Sequence, residues 1–519
     1  MADTAVSVRK TPLRDILAYA MGDGANSLVM NTFYSFAMLY YTKAMGMSGT
    51  NAGVAMAITT LWDAITDPLM GHITDNTRSR FGRRHPYMLI GGFAMVLCFY
   101  GIWAVPMTFR TPQLLFWYLV VMNVLLRTAS TVFAVPFVAL GFEICTDYNQ
   151  RTTLQSVRGA VNMAVNLTGP AILGWAVFLR DRDGEIGSGV TIPDNFKHMG
   201  FAFSAIALFF LLYTVFATRK YAVDSRNNPE VRSNRLGDIL RNLTAVLLDP
   251  LPRMVFVFIA VLFIAVVLVT SLQMFIYVDF MKFTGVEKTL VHGSTMIAAA
   301  IGAILAAPLV RRLDKKPAIF VLLAGACCGN IVLVLLFGTG LVRPGSTPFT
   351  VAGQATSVAT LVFLVFHVCY HLGATSANTI ANSMMADVSE INRYYTGVLK
   401  DGSYSAMLSF VLKMSISFGQ LLCGLCLDAI GYDSNAEHQP VEVARRMMFV
   451  AFAAGSLITL LALVWIVRYP VNRKYMYEIK AALTGVAPHC RYCGYNLTGN
   501  VSGICPECGA PIASESSPA

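Results

Sequence analysis

The sequence predicts an all-α membrane protein: twelve transmembrane helices in two six-helix halves, with a small cysteine-bearing module after the last helix. Three observations carry that prediction. Of 519 residues, 55% are apolar and only 13% charged, with a mean hydropathy of +0.58, a composition no water-soluble fold could keep in solution. The apolar runs repeatedly exceed the roughly 18 residues that cross a bilayer as helix. A charged stretch, 219–250, divides those runs six and six.

Taken in order, the spans are expected at 16–42, 50–74, 87–107, 113–144, 153–179, 199–218, 253–281, 289–310, 317–338, 354–385, 403–430 and 443–467. The opening residues, with Arg9, Lys10 and Arg14, are polar and are not followed by the small-residue cleavage site of a signal peptide, so the first helix is expected to stay. Basic residues gather in alternate connections: Arg78, Arg80, Arg83 and Arg84; Arg151; Arg219 to Arg241; Arg311, Arg312, Lys315 and Lys316; Arg393 and Lys400. By the positive-inside rule those connections and both termini face the cytoplasm, in a multi-pass protein of the cell's inner membrane. The +10 net charge is then a topology signal, and no nucleic-acid partner is expected.

The expected organisation is a first six-helix bundle at 1–218, a central cytoplasmic loop at 219–250, a second bundle at 251–468, an interfacial linker helix at 469–487, a ribbon at 488–510 and a disordered tail at 511–519. Basic loops follow the second span of each half, Arg78 to Arg84 and Arg311 to Lys316. Two such halves around a midplane site are transporter architecture.

Within the second span, Asp63 and Asp67 lie one helical turn apart in an apolar stretch, with Thr66 beside them. A carboxylate at mid-bilayer depth costs on the order of 2.5–3.5 kcal/mol, so a pair needs a compensating role. Like charges this close in low dielectric are relieved by a shared proton or by a cation between them. An ion pair to a neighbouring helix is the plainer alternative.

Other polar groups recur at helical spacing: Asp23, Asn26 and Asn31; Asn123 and Arg127; Gln155, Arg158, Asn162 and Asn166; Gln273 and Tyr277; His367, His371, Asn378 and Asn382. Arg158, Asn162 and Asn166 form one stripe and Asn378 with Asn382 another, and each should face a cavity rather than lipid. Amides suit hydroxyl-rich ligands and arginine suits a carboxylate. Asp23, Asn26, Arg127, Arg158, Asn162, Tyr277 and Asn378 are the expected substrate contacts. His367 and His371 could form a metal pair or proton relay or simply pack. Cys423 and Cys426 share redox spacing but lie in an apolar span, where packing is the simpler reading.

After the last span, Tyr475, Ile479 and Leu483 share a helical face among Arg473, Lys474 and Lys480, as in a helix lying on the inner leaflet. Two Cys-x-x-Cys-Gly knuckles follow, Cys490 with Cys493 and Cys505 with Cys508. They resemble a zinc ribbon, and four thiolates give zinc a closed structural site; iron, as in rubredoxin, is the alternative. A cytoplasmic partner of this module is unidentified.

The run from Trp62 through Gly91, containing Trp62-Asp-Ala-Ile-Thr-Asp67-Pro and Arg78-Ser-Arg-Phe-Gly-Arg-Arg84, resembles the helix 2–loop–helix 3 signature of the glycoside-pentoside-hexuronide:cation symporters, a branch of the major facilitator superfamily. Gly22-Asp23 with Asn26, Tyr40-Tyr41-Thr42, Val135-Pro136-Phe137 with Glu143, Arg158, Ala386-Asp387 and Lys413 extend the resemblance over roughly residues 15–470. It implies a cation-coupling site at Asp63, Asp67, Thr66, Thr131 and Lys413, whose ammonium would offset a carboxylate, with sodium or a proton as coupling ion. Melibiose permease's two galactoside-binding aspartates fall on Ser27 and Ala134, and its helix 4 tryptophan on Val138, while its helix 5 arginine is kept as Arg158; a different sugar preference is implied.

The expected function is therefore secondary active uptake of a sugar, glycoside or sugar acid by a monomer, not an enzyme. A lysolipid carrier of the same fold, or a non-transporting receptor signalling through the ribbon, are the alternatives.

Overall fold

The computed structural model describes residues 11–79, 81–145, 148–181, 187–222, 249–346, 348–351, 354–397, 401–436, 438–484 and 504–509. Among them, twelve helical rods carry the chain back and forth. They are α1 (Leu13–Leu39, extended by a wide π turn Tyr40–Ala44), α2 (Gly49–Asp75), α3 (His85–Trp103), α4 (Pro112–Ile144), α5 (Tyr148–Asn166, continuing as π turns through Leu167–Phe178) and α6 (Pro193–Thr218). The second set is α7 (Pro250–Phe275, extended by Ile276–Phe280), α8 (Gly285–Leu313), α9 (Lys315–Gly338), α10 (Val358–Thr396), α11 (Asp401–Ala429) and α12 (Val441–Phe449, Val450–Ala454 and Gly455–Val467). Ten of these rods are long and apolar enough to cross a membrane. The two that fall short are α1 and α2, the rods richest in the acidic and hydroxyl side chains singled out above. A hairpin of β1 (Pro348–Val351) and β2 (Gln354–Ser357) precedes α10, and α13 (Arg473–Thr484) follows α12.

The helix ends are encoded locally. Proline opens α4, α6 and α7, where its missing N–H is no loss. Ser48, Asp249 and Ser357 accept bonds from the first free amides of α2, α7 and α10. Thr284 and Glu287 close a capping box at α8.

Packing divides along the expected line. α1 packs on α5 and α6, α3 on α4 and α6, and α2 on α4; α10 packs on α8 and α9, and α7 on α11 and α12. Contact between the halves runs through α2 against α11 and the π-turn part of α5 against α8. Both contacts lie toward the end of the bundle that holds the α1–α2 turn, called here the first-turn end. The apolar core follows suit: Phe36, Trp103 and Trp175 of the first half join Phe275, Tyr277, Leu427, Phe363 and Phe452 of the second in one buried cluster. At the other end, Phe256, Ile259, Ile319, Leu323, Met384 and Met407 form a separate cluster confined to the second half and α13. The bundle is thus sealed at the first-turn end.

At the opposite end a matching charge network braces each half internally. Arg83 and Arg84 reach Glu143 of α4 at 2.6 and 3.3 Å, and Lys315 reaches Asp387 of α10 at 2.5 Å. Repetition invisible as sequence identity is therefore present as geometry. The linker helix is shorter than the expected 469–487, and its position is pinned by Arg473, which donates to the Val310 and Arg311 carbonyls at the free end of α8.

Candidate functional site

Helices α2 and α4 run side by side in the same direction and meet through a ladder of polar rungs spaced one turn apart. Asn123 donates to Thr59 at 3.2 Å, Arg127 to Asp63 at 3.1 Å, and Thr131 to Asp67 at 2.8 Å. Spacing of four residues on both helices keeps every rung on the same face. From α11, the Lys413 ammonium sits on Asp67 and lies 3.8 Å from Asp63. Two carboxylates and two cations thus share one cluster. At ~1.5 Å per residue, Asp63 is about 21 Å down α2 from Gly49, near the middle of the membrane-spanning length.

The cluster has a dry side and a wet side. Side chains of Asp63 and Arg127 are 4% and 7% exposed, whereas Lys413 and Asp67 are 28% and 33% exposed. The Arg127 guanidinium lies over the Tyr34 ring of α1 at 5.1 Å. Arg127, expected among the substrate contacts, is thereby placed in the charge cluster instead. The Thr66 hydroxyl turns back to the Asp63 carbonyl of its own helix at 3.5 Å and does not join the rungs.

A second polar surface lies between α1 and α5. Arg158 donates to Asp23 at 2.7 Å and to Gln155 at 3.1 Å, with its guanidinium 5.4 Å from the Phe137 ring centre. Asn162 donates to Ser27 and, at 3.4 Å, to Asp23; Asn166 donates to Asn162 at 2.8 Å, and Asn31 to Asn166 at 2.6 Å. The stripe read from spacing is continuous, and it is laid against α1. Asn26 accepts from Ser130 of α4 at 3.0 Å, joining α1 to the helix that carries the ladder.

From the second half, Tyr277 is fully buried among Trp175, Phe363, His292 and His367, and its hydroxyl has no hydrogen-bond partner among the described residues. His367 and His371 both place Nε2 on Gln273 Oε1, at 2.7 and 3.2 Å. That arrangement occupies the pair with a side-chain amide. Asn378 is half-buried on α10, and its Oδ1 has no hydrogen-bond partner among the described residues.

The structure adds a group that spacing did not reveal. At the first-turn end, Lys43 and Asp279 form an ion pair at 2.5 Å with side chains 1% and 3% exposed, and Tyr432 donates to the same carboxylate at 3.0 Å. Lys288 meets Asp181 at 2.9 Å, and Asp428 accepts from the Gly49 and Thr50 amides that open α2 at 2.8 and 2.9 Å. The Lys43–Asp279, Lys288–Asp181 and Asp428 links each join one half to the other, and Tyr432 supports Asp279 from within the second half. The only hint in the sequence is a charge at the edge of an apolar run, which topology alone would explain.

The model of the MFS/sugar transport protein family matches residues 18–473. The chain belongs to that family. Similar members are the inner membrane symporter YicJ of Escherichia coli, 26% identical over 82% of this chain and 85% of that protein, and the glucuronide carrier protein homolog of E. coli, 23% identical over 90% and 94%. The crystal structure of a D-xylose–proton symporter superposes with a TM-score of 0.58 at 13% identity, covering 88% of this chain and 96% of that one, which establishes the fold. This MFS chain is a multi-pass membrane transporter and not an enzyme.

In the tail, Cys490 and Cys493 lie outside the described residues. Cys505 and Cys508 sit in a tight turn, where the Gly509 amide bonds the Cys505 carbonyl at 2.9 Å and Gly509 takes φ of +70°. Among the described residues no three His, Cys, Asp or Glu side chains converge as a metal site.

Proposed function

We propose that this transporter couples uptake of a sugar, glycoside or sugar acid to entry of sodium or a proton by alternating access of its two halves. The observation that supports it best is the α2–α4–α11 charge cluster at mid-depth, one helix away from the Asp23–Arg158–Asn162 surface. In this reading Asp63, Asp67, Thr131 and Lys413 respond to the coupling cation, with Thr66 shaping the α2 turn. Asp23, Asn26, Arg158, Asn162, Tyr277 and Asn378 face the substrate. YicJ and the glucuronide carrier protein homolog are named as a symporter and a glucuronide carrier, which favours a sugar or sugar acid. Cation binding that favours one arrangement of α2, α4 and α11 raises substrate affinity, and linkage requires the substrate to raise cation affinity equally.

The first-turn end is taken as external, from the basic connections at the other end, with both termini cytoplasmic and the protein a monomer in the inner membrane. Residues 1–218 and 251–468 are the moving halves, joined by 219–250. Cys490, Cys493, Cys505 and Cys508 bind one structural zinc ion. The positive-φ glycine after Cys505-Pro-Glu-Cys508 is the shape of a thiolate knuckle and fits that role.

A thermal-shift screen of purified protein against glucose, xylose, galactosides and glucuronate, each with sodium or choline and at pH 6 and 8, identifies substrate and ion together. Counterflow of the labelled hit in proteoliposomes then measures turnover. Binding without counterflow would favour a receptor. Absence of any sugar or uronate response would remove the sugar reading.

A further inference from the structure

The coupling reading treats Asp63 and Asp67 as a pair, yet the two carboxylates have different surroundings. Asp63 is 4% exposed and holds Arg127, itself 7% exposed, at 3.1 Å. A guanidinium is not deprotonated in proteins, so Arg127 brings a permanent charge into the dry side of the cluster. The rungs above and below pin that charge: Asn123 on Thr59 and Thr131 on Asp67 fix the register of α4 on α2, and the Tyr34 face covers the guanidinium from α1. Lys413 also lies 3.8 Å from Asp63, but Asp67 is the more open of the two. It is 33% exposed, it is held by a neutral hydroxyl and by a lysine on a mobile stem, and that lysine is itself 28% exposed.

Charge counting sets the consequence. Two carboxylates, a guanidinium and an ammonium make the cluster neutral. A further monovalent cation would leave an uncompensated charge in low dielectric unless the ammonium withdraws. We infer that Arg127 is a built-in counter-ion that keeps Asp63 permanently neutralised, so the coupling cation exchanges one-for-one with the Lys413 ammonium at Asp67, and Asp63 is not one of its ligands. Arg127 is then a positioning residue for coupling, acting through Asp63, and it sets the stoichiometry at one ion. The inference rests on the proposed coupling site and assigns separate roles within it.

A charge-pair neutralisation tests it on the full-length protein without any substrate. The probes are sodium chloride replacing choline chloride at constant ionic strength at pH 8, read as a thermal shift, and protons, read by back-titration from pH 8 to 5. The sodium and proton arms tell which cation is used. Asp67→Asn is expected to abolish the ion response that the wild-type chain shows. The double variant Asp63→Asn/Arg127→Gln removes a carboxylate and its counter-ion together. It is expected to keep that response with a midpoint within about threefold of wild type, because paired removal leaves no orphan charge. Lys413→Gln removes the competitor and is expected to tighten ion binding about tenfold or more.

A folded double variant that loses the response as Asp67→Asn does would show that Asp63 ligates the ion, and would overturn the inference while leaving the coupling site standing. An Asp67→Asn variant that responds like wild type, or a wild-type chain that responds in neither arm, would instead overturn the coupling site itself.

Discussion

Asp279→Asn should unlock the first-turn end. Lys43 and Asp279 are 1% and 3% exposed, so the substitution preserves shape, and lets Tyr432 keep an oxygen acceptor, while leaving the ammonium buried without its counter-charge. Breaking a buried pair in this way costs about 3–5 kcal/mol, which is about two to three and a half decades in the balance between sealed and open arrangements. Opening the gate lets water reach Lys43, so the penalty falls on the sealed arrangement alone. The assay uses Ser434→Cys as reporter, because Ser434 is buried at 9% exposure and bonds the Met47 carbonyl of the other half at 2.8 Å. A membrane-impermeant maleimide should label Cys at 434 slowly in the parent and about a hundredfold faster with Asp279→Asn. The double variant Lys43→Met/Asp279→Leu should return labelling toward the parent rate, since an apolar pair of similar volume can replace a buried ion pair. Equal labelling of parent and Asp279→Asn, in protein that is folded by thermal unfolding, would refute the claim that this pair holds the halves together.

Three further outcomes are expected. Asp67→Asn and Asp63→Asn should each abolish uptake against a gradient, since the first removes the carboxylate that receives the cation and the second leaves Arg127 uncompensated; accumulation measured in vesicles checks both. Arg158→Ala should weaken substrate binding by about 1.5–3 kcal/mol, the range for a hydrogen bond to a charged group, read by calorimetry with the screened ligand. Cys505→Ser should release the tail metal, seen by metal analysis and by colour if iron is bound, while transport continues, because binding free energy is folding free energy for so small a module and none of its cysteines belongs to the proposed coupling or substrate residues.

The stripe on α5 was legible in advance because it is a local property. Residues four apart share a helix face whatever the rest of the chain does, so Arg158, Asn162 and Asn166 had to line up, as had Asp63 and Asp67. The same logic located the spans, and the basic connections that join them stand out in the sequence for the same reason. What a helix face meets is another matter. Arg127 reads as a cavity-facing arginine from spacing alone; only the rotation and vertical register of α4 against α2 set it on Asp63. The Thr66 hydroxyl, beside both carboxylates in sequence, turns to its own backbone because the third rung is already made by Thr131 from α4.

The sealed first-turn end is the plainest case of a tertiary decision. A Cβ placed on Gly49 would lie 2.7 Å from the Gly424 carbonyl, and one on Gly53 would lie 3.0 Å from that of Gln420, so α2 and α11 meet backbone to backbone. Gly49 and Asp428, hundreds of positions apart, become partners through that contact, as Lys43 and Asp279 do where the ends of α1 and α7 meet. The sequence by itself determined that this chain crosses the membrane as helices in two halves and carries acids where acids are costly, because hydrophobic transfer and helical periodicity act over a few turns. Which charges neutralise which was decided by tertiary structure, because Coulomb pairing in low dielectric depends on separations of a few ångströms that packing between distant helices alone sets.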